Sequence, residues 1–299
     1  MVREPLPPVT ALGYTCTKHK EEPLSGGEEK YDEVGYWSEM KIEMVSDYLK
    51  EYSMIVSAQD RFDYYYIDAF SGGGWHRSRT SGELIQGSPL RALDIEPAFK
   101  EYFFIDLNPG KAENLRRECA GKDNVQIYTD DCNELLLNQI FPQITWEGFK
   151  RAFCLLDPYG MHYKWQVVEK AASMKTIEVI LNFPMMDMNM NALWKNPEGL
   201  PATQIERMDA FWGDDSWQND FYQAALFDDM PGKAADNRQV VEAYVARLRK
   251  KAGFEYVTAG FPVKAQNRDL YYLIFAGPNE TGKKIAEHIF NKYRSRGAI

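Results

Sequence analysis

The chain of 299 residues is 44% hydrophobic and 14% aromatic, enough apolar material for a proper core, which excludes disorder as its default state. That length suits one large domain, or a domain carrying a sizeable insertion. A formal net charge of -9 excludes a broad, non-specific nucleic-acid surface, which needs a basic footprint. It leaves a small basic patch, a nucleotide-sized substrate or a protein substrate open.

The four cysteines, Cys16, Cys119, Cys132 and Cys154, lie far apart without paired spacing, as expected of reduced thiols in a cytoplasmic protein. Cys16 with His19 is the nearest thing to a metal pair, but no second pair follows, so no metal is expected. No apolar run approaches the roughly 18 residues of a membrane span, and no signal-peptide core precedes the first elements. The reading is a soluble protein without a membrane partner.

Residues 1–36 are rich in Pro, Gly, Glu and Lys and read as an N-terminal arm or irregular cap. From Trp37 to Ser57, apolar residues recur at helical spacing (Trp37, Met40, Met44, Val45, Tyr48, Leu49, Tyr52, Ile55, Val56) and predict an amphipathic helix. The next stretch organises the chain. Tyr64-Tyr65-Tyr66-Ile67 reads as a buried strand, and it runs into Asp68 and then Gly72-Gly73-Gly74, where the backbone must turn and admit a close approach. Ligands of open α/β sheets sit outside such strand ends. A dinucleotide fingerprint is disfavoured because Arg77 stands where its third glycine belongs, and a P-loop Gly-Lys-Ser/Thr is absent. What remains, Asp68-x-Phe70-x-Gly72-x-Gly74, is similar to the first motif of S-adenosylmethionine (SAM) methyltransferases, in the form common among those acting on nucleobases.

Residues 75–80 (Trp-His-Arg-Ser-Arg-Thr) read as a polar loop, either solvated or clamping anionic groups at the cofactor edge. Ser88-Pro89 starts a helix. Tyr102-Phe103-Phe104-Ile105 is a second strand ending in Asp106, with Leu107 beside it. A short acid there can accept hydrogen bonds from two vicinal ribose hydroxyls. Residues 125–128 form a third strand, followed by Asp130 and Asp131. Either could meet an adenine amine, and one could simply cap the next helix; Asp131 is favoured for adenine. Residues 153–156 form a fourth strand running into Asp157-Pro158-Tyr159-Gly160. Methyltransferases of exocyclic amines carry Asp/Asn-Pro-Pro-Tyr/Phe here, where the acid orients the amine and the aromatic stacks on the base. The second proline is missing in this chain, and Asp-Pro-Tyr-Gly also makes a good turn. A fifth strand, 178–184, carries Asn182 to the same edge.

From 185 to 238 the alternation gives way to Trp, Met, Asp and Asn, predicting a helical or irregular insertion on the substrate or partner side. Residues 239–299 complete the core with a helix, two strands (255–264 and 269–276) joined as a hairpin, and a closing helix. The SAM-binding α/β core proper spans 37–184.

In this order, Trp37-x-x-x-Lys41, Tyr66-Ile67-Asp68-x-Phe70-x-Gly72, Gly87-Ser88-Pro89-Leu90, Phe104-Ile105-Asp106-x-x-Pro109, Leu156-Asp157-Pro158-Tyr159-Gly160, Leu181-Asn182-Phe183-Pro184 and Phe211-Trp212-Gly213-Asp214 resemble the bacterial three-Cys-motif partner (TcmP) family. The resemblance implies a Rossmann-like class I SAM-methyltransferase fold, mostly parallel with an antiparallel strand in its C-terminal hairpin, and a partner protein encoded nearby. The function expected is SAM-dependent methylation of a nucleobase nitrogen. The alternatives are a protein, peptide or small-metabolite acceptor, or a non-catalytic SAM-fold subunit. Asp68, Phe70, Gly72, Gly74, Asp106, Leu107, Asp130 and Asp131 are the expected cofactor residues. Asp157, Pro158, Tyr159 and Asn182 are those expected at the acceptor.

Overall fold

A computed structural model describes residues 31–194, 197–226 and 235–296. Of the predicted arm only 31–36 fall within it, and Cys16 and His19 lie outside. A short strand, β1 (Asp32–Val34), leads into α1 (Tyr36–Ser57), which buries Met40, Met44, Val45, Tyr48, Leu49 and Tyr52. Positions three and four apart share one helix face, so the apolar stripe becomes the buried side. Strand β2 (Asp63–Asp68) is buried from Tyr64 onward.

After the glycine turn, residues 75–78 depart from the loop reading, while 79 and 80 remain in a turn. The former make β3 (Trp75–Ser78), which pairs parallel with β1 and antiparallel with β4 (Leu84–Gln86) in a small three-stranded sheet. Ladder partners on both sides satisfy the backbone there, and polar side chains do not prevent that. Then come α2 (Ser88–Leu93), β5 (Glu101–Ile105), α3 (Pro109–Glu118), β6 (Val125–Tyr128) and α4 (Cys132–Leu135). Next are β7 (Lys150–Leu156), α5 (Trp165–Met174) and β8 (Ile177–Phe183). Helices α6 (Met185–Asn191), α7 (Ala202–Trp212), α8 (Ser216–Leu226) and α9 (Asn237–Arg247) follow. The fold closes with β9 (Tyr256–Ala259), β10 (Val263–Ala265), β11 (Arg268–Gly277) and α10 (Glu280–Tyr293).

The main sheet runs β10-β11-β8-β7-β2-β5-β6, with β9 also paired to β11. Strands β6, β5, β2, β7 and β8 are parallel, and β11 is antiparallel to β8 and β9. The single strand expected at 255–264 is two strands, because Pro262 between them has no N–H for the ladder. The turn from β10 to β11 places Gln266 and Asn267 at φ 49° and 63°, the left-handed conformation a two-residue hairpin turn needs.

Alternation along each strand feeds two cores. Ile67, Ile105, Cys154 and Leu181 face α4, α5, α7 and α9, whereas Tyr66, Phe104, Phe153 and Ile180 face α1 and α10. Both faces are covered, which is why the strands read as continuous apolar runs. Residues from the 185–238 segment (Met185, Met188, Met208, Phe211, Trp212, Trp217) are buried in the first of these cores. From β2 the chain moves outward to β5 and β6, then returns to the other flank of β2 as β7. The connections leaving β2 and β7 therefore diverge and open a crevice above their carboxyl ends. This is a Rossmann-like α/β fold, mostly parallel with the antiparallel strand β11 near its C-terminal end.

Candidate functional site

Asp68 closes β2 and is fully buried. Its Oδ2 accepts from the Tyr66 hydroxyl at 3.1 Å and its Oδ1 from the Phe70 N–H at 3.2 Å. Burial pushes its carboxyl up to about 7; bonds from the Ser88 hydroxyl and the Phe70 amide oppose this, and the nearby charge of Asp157 adds to it. Phe70 packs half-buried against the core behind the turn. The turn itself is tied to the neighbouring strand: Ser71 N–H donates to the Ile105 carbonyl at 2.9 Å, and Gly72 N–H to Asp106 Oδ2 at 3.0 Å. Gly72 and Gly74 have φ of 68° and 92°, which side-chain-bearing residues rarely adopt. Gly87, opening α2, donates to the Gly74 carbonyl at 2.7 Å. A Cβ on Gly87 would lie 3.0 Å from that carbonyl oxygen and 2.8 Å from His76 Nε2.

Asp106, beyond β5, is fixed at both oxygens, since its Oδ1 accepts from the Asn108 N–H at 2.8 Å. Each oxygen keeps a lone pair for a further donor. Leu107 beside it is 73% exposed. Asp131 caps α4, its Oδ1 accepting from the Asn133 backbone at 2.7 Å and side chain at 2.9 Å. Asp130 is exposed and accepts from the Asp131 N–H at 2.8 Å. The capping role that either acid could have taken thus falls to Asp131.

At the end of β7, Asp157 forms an ion pair with Lys41 of α1, Nζ to Oδ1 2.5 Å. The same ammonium lies 5.0 Å from the centre of the Tyr271 ring. Pro158 is buried, and its carbonyl accepts from Asn182 Nδ2 at 3.0 Å. Asn182 Oδ1 is buried without a partner among the described residues. Tyr159 is 80% exposed, with Lys111 Nζ 5.8 Å from its ring centre. Lys111 in turn pairs with Asp32 of β1 at 2.5 Å. Residues from the β5 and β7 sides therefore meet across the end of β2.

Two further residues join this site: Lys41, given no role in it by sequence reasoning, and His76, which lies in the 75–80 stretch read as either solvated or clamping anionic groups at the cofactor edge. Lys41 falls on the apolar stripe of α1, in register with Val45, Tyr48 and Tyr52, and a lysine on a buried face was the signal that could have found it. His76 sits against Gly72 and Gly87 with its Nδ1 buried and without a hydrogen-bond partner among the described residues. Burial lowers its pKa, while Asp32, Asp157, Lys111 and Lys41 surround it with charge of both signs. Among the described residues no cluster of His, Cys, Asp and Glu could hold a metal, and no helix is long and apolar enough to cross a membrane. Cys119, Cys132 and Cys154 are free and buried.

No family model and no curated protein matches this chain. Solved structures do. A Legionella pneumophila protein of family DUF519 is 11% identical, with a TM-score of 0.51 over 87% of this chain and 92% of its own. A Thermobifida fusca protein described as a putative methyltransferase is 14% identical, with a TM-score of 0.38 over 80% of this chain and 81% of its own. A Streptococcus thermophilus protein described as an rRNA methylase is 12% identical, with a TM-score of 0.40 over 80% and 96%. At these identities the likeness is one of fold.

Proposed function

We propose that this chain is a SAM-dependent methyltransferase whose acceptor is a nucleobase nitrogen. The observation that carries the reading is Asp68, a fully buried carboxylate at the switch point that meets no cation at ion-pair distance among the described residues. An ammonium such as that of SAM's methionine moiety would balance it. Beside it, Asp106 is held by two backbone amides with lone pairs to spare for ribose hydroxyls, and the Gly72–Gly74 turn lets a ligand approach the backbone. The residues thus suit SAM, with Leu107 and Asp130 or Asp131 toward adenine. SAM when bound supplies a methyl group already activated on a sulfonium.

The protein's share is alignment and exclusion of water. Lys41 fixes one oxygen of Asp157, leaving the other to accept a hydrogen from the acceptor amine and then its proton. Asn182 positions the Pro158 carbonyl, so its part is to shape the Asp-Pro-Tyr corner. The exposed Tyr159 ring offers a surface on which a base can stack. The resemblance to the TcmP family supports a partner protein encoded nearby.

A second reading keeps the fold and changes the acceptor. A groove of about 1000 Å³ opens between α6, α9 and the β10–β11 hairpin, with Met186, Met190, Arg238, Glu242, Lys264 and Asp269 on its walls. Its mixed charge and adaptable methionines, with the net charge of -9, favour a peptide or metabolite over a polyanion.

Calorimetric titration with S-adenosylhomocysteine tests the cofactor. Wild type should bind, and Asp106→Ala should weaken binding at least about tenfold. Absence of binding in wild type, or an unchanged Asp106→Ala, would remove the cofactor reading. Mass spectrometry after turnover then separates the acceptors by whether the added methyl is found on nucleosides or on peptides and metabolites.

A further inference from the structure

The opposite, amino-terminal edge of the sheet holds a second cavity, of about 340 Å³, between α1, the start of β7 and the N-terminal end of α10. Its walls include Ile55, Val56, Phe62, Trp146 and Ile285, a mostly apolar and partly aromatic surface. Polar groups also line it, including Lys175, Gln59 and Thr176 besides Glu178, Tyr52 and Arg151. Glu178 is committed: it is 6% exposed and receives hydrogen bonds from the Tyr48 hydroxyl at 2.5 Å and from Asn279. Tyr52 and Arg151 are not. The Tyr52 hydroxyl is buried with no hydrogen-bond partner among the described residues, an arrangement that costs free energy unless a ligand fills it. Arg151 is held between two rings, its guanidinium carbon 4.2 Å from the centre of Phe62 and 4.3 Å from that of Trp146. Its Nη1 donates to the Lys150 carbonyl at 2.7 Å, and among the described residues it meets no carboxylate at ion-pair distance.

A half-buried guanidinium without an anion, beside an unsatisfied hydroxyl and between aromatic walls, selects for a flat molecule with one negative end. We propose that this cavity is a second small-molecule site, which takes an aromatic monocarboxylate. The ligand's carboxylate pairs with Arg151 and accepts from Tyr52, and its ring lies against Trp146 and the aliphatic wall. Glu178, already satisfied and close to Tyr52, disfavours a second negative group. The site is separate from the cofactor edge: α1 carries Lys41 to one edge of the sheet and Tyr52 to the other.

The test is calorimetry with benzoate, indole-3-carboxylate and 2-naphthoate, each against its neutral carboxamide. At least one carboxylate should bind wild type about tenfold or more tightly than its amide. Arg151→Gln should abolish that preference, and Tyr52→Phe, which removes only the hydroxyl, should weaken carboxylate binding by about fivefold or more. Should Arg151→Gln fail to fold, Tyr52→Phe carries the test. Asp106→Ala should leave carboxylate binding unchanged, so that loss of the cofactor reading and loss of this one are told apart. No binding of any carboxylate at about 1 mM, equal binding of acid and amide, or undiminished binding in the folded variants would overturn the proposal.

Discussion

Asp68 shows what one side chain contributes when its burial and its partners disagree. Its folded pKa, raised from 3.8 to about 7, means that the native state holds a proton the unfolded chain has lost. Unfolding free energy should therefore fall as pH rises through that window, by on the order of 4 kcal/mol at most, and stay low above it. Asp68→Asn should flatten this part of the profile in denaturant titrations. The same ionisation should govern ligand affinity. An ammonium binds the carboxylate and not the acid, so S-adenosylhomocysteine should bind about tenfold more tightly at about pH 8 than at about pH 6. In Asp68→Asn that slope should vanish; a slope retained in the variant would assign the titration to another group.

At the level of elements, the glycine turn, β3 and the start of α2 form one interlocked corner. Gly87→Ala would drive a Cβ to within 3.0 Å of the Gly74 carbonyl, a backbone atom that cannot rotate away. The cost should be about 1–3 kcal/mol in stability, with weakened S-adenosylhomocysteine binding because the turn must shift. Gly35, where a Cβ meets nothing within 4 Å among the described residues, serves as the control, and its alanine variant should stay within about 1 kcal/mol of wild type. Equal losses from the two variants would argue against the interlock. The small sheet that completes this corner could not be read locally. β1 and β3 are short and polar, and their pairing joins Glu33 to Arg77 across the whole of α1 and β2.

Across the whole molecule, the helices from the 185–238 segment are bound to the C-terminal half through Arg247. This side chain is 8% exposed and donates to the Trp212 carbonyl at 2.6 Å, to Ser216 Oγ at 3.1 Å and to Asp214. Trp165 and Trp212 flank it at 5.1 and 5.3 Å. Against the opposing effect of burial, hydrogen bonds from Lys251, Ser216 and Arg247 hold the Asp214 carboxyl well below the usual range. Arg247→Met should cost about 3 kcal/mol in urea unfolding, because it strands a buried carbonyl and part of a charge network. Arg247→Lys should recover little, lacking the planar fork that serves three acceptors at once. A near-neutral Arg247→Met would mean that these helices dock by apolar contact alone.

The elements that set the fold class are encoded locally. Runs such as Tyr64-Tyr65-Tyr66-Ile67 and Phe153-Cys154-Leu155-Leu156 are buried on both faces, and each ends in an acid, Asp68 or Asp157. The strand ends, the glycine turn and Asp106 could thus be read from neighbours in the chain, since periodicity and turn chemistry act over a few residues. Folding alone supplied the contacts between distant residues. Lys41 meets Asp157 across 116 positions, Asn182 takes hold of the Pro158 carbonyl, and His76 comes to rest against Gly87. Which of Asp130 and Asp131 caps a helix was likewise open until backbone geometry oriented their side chains. A local pattern fixes whether a residue lies in a strand or helix and which way it faces. The partner it meets depends on how the elements are brought together.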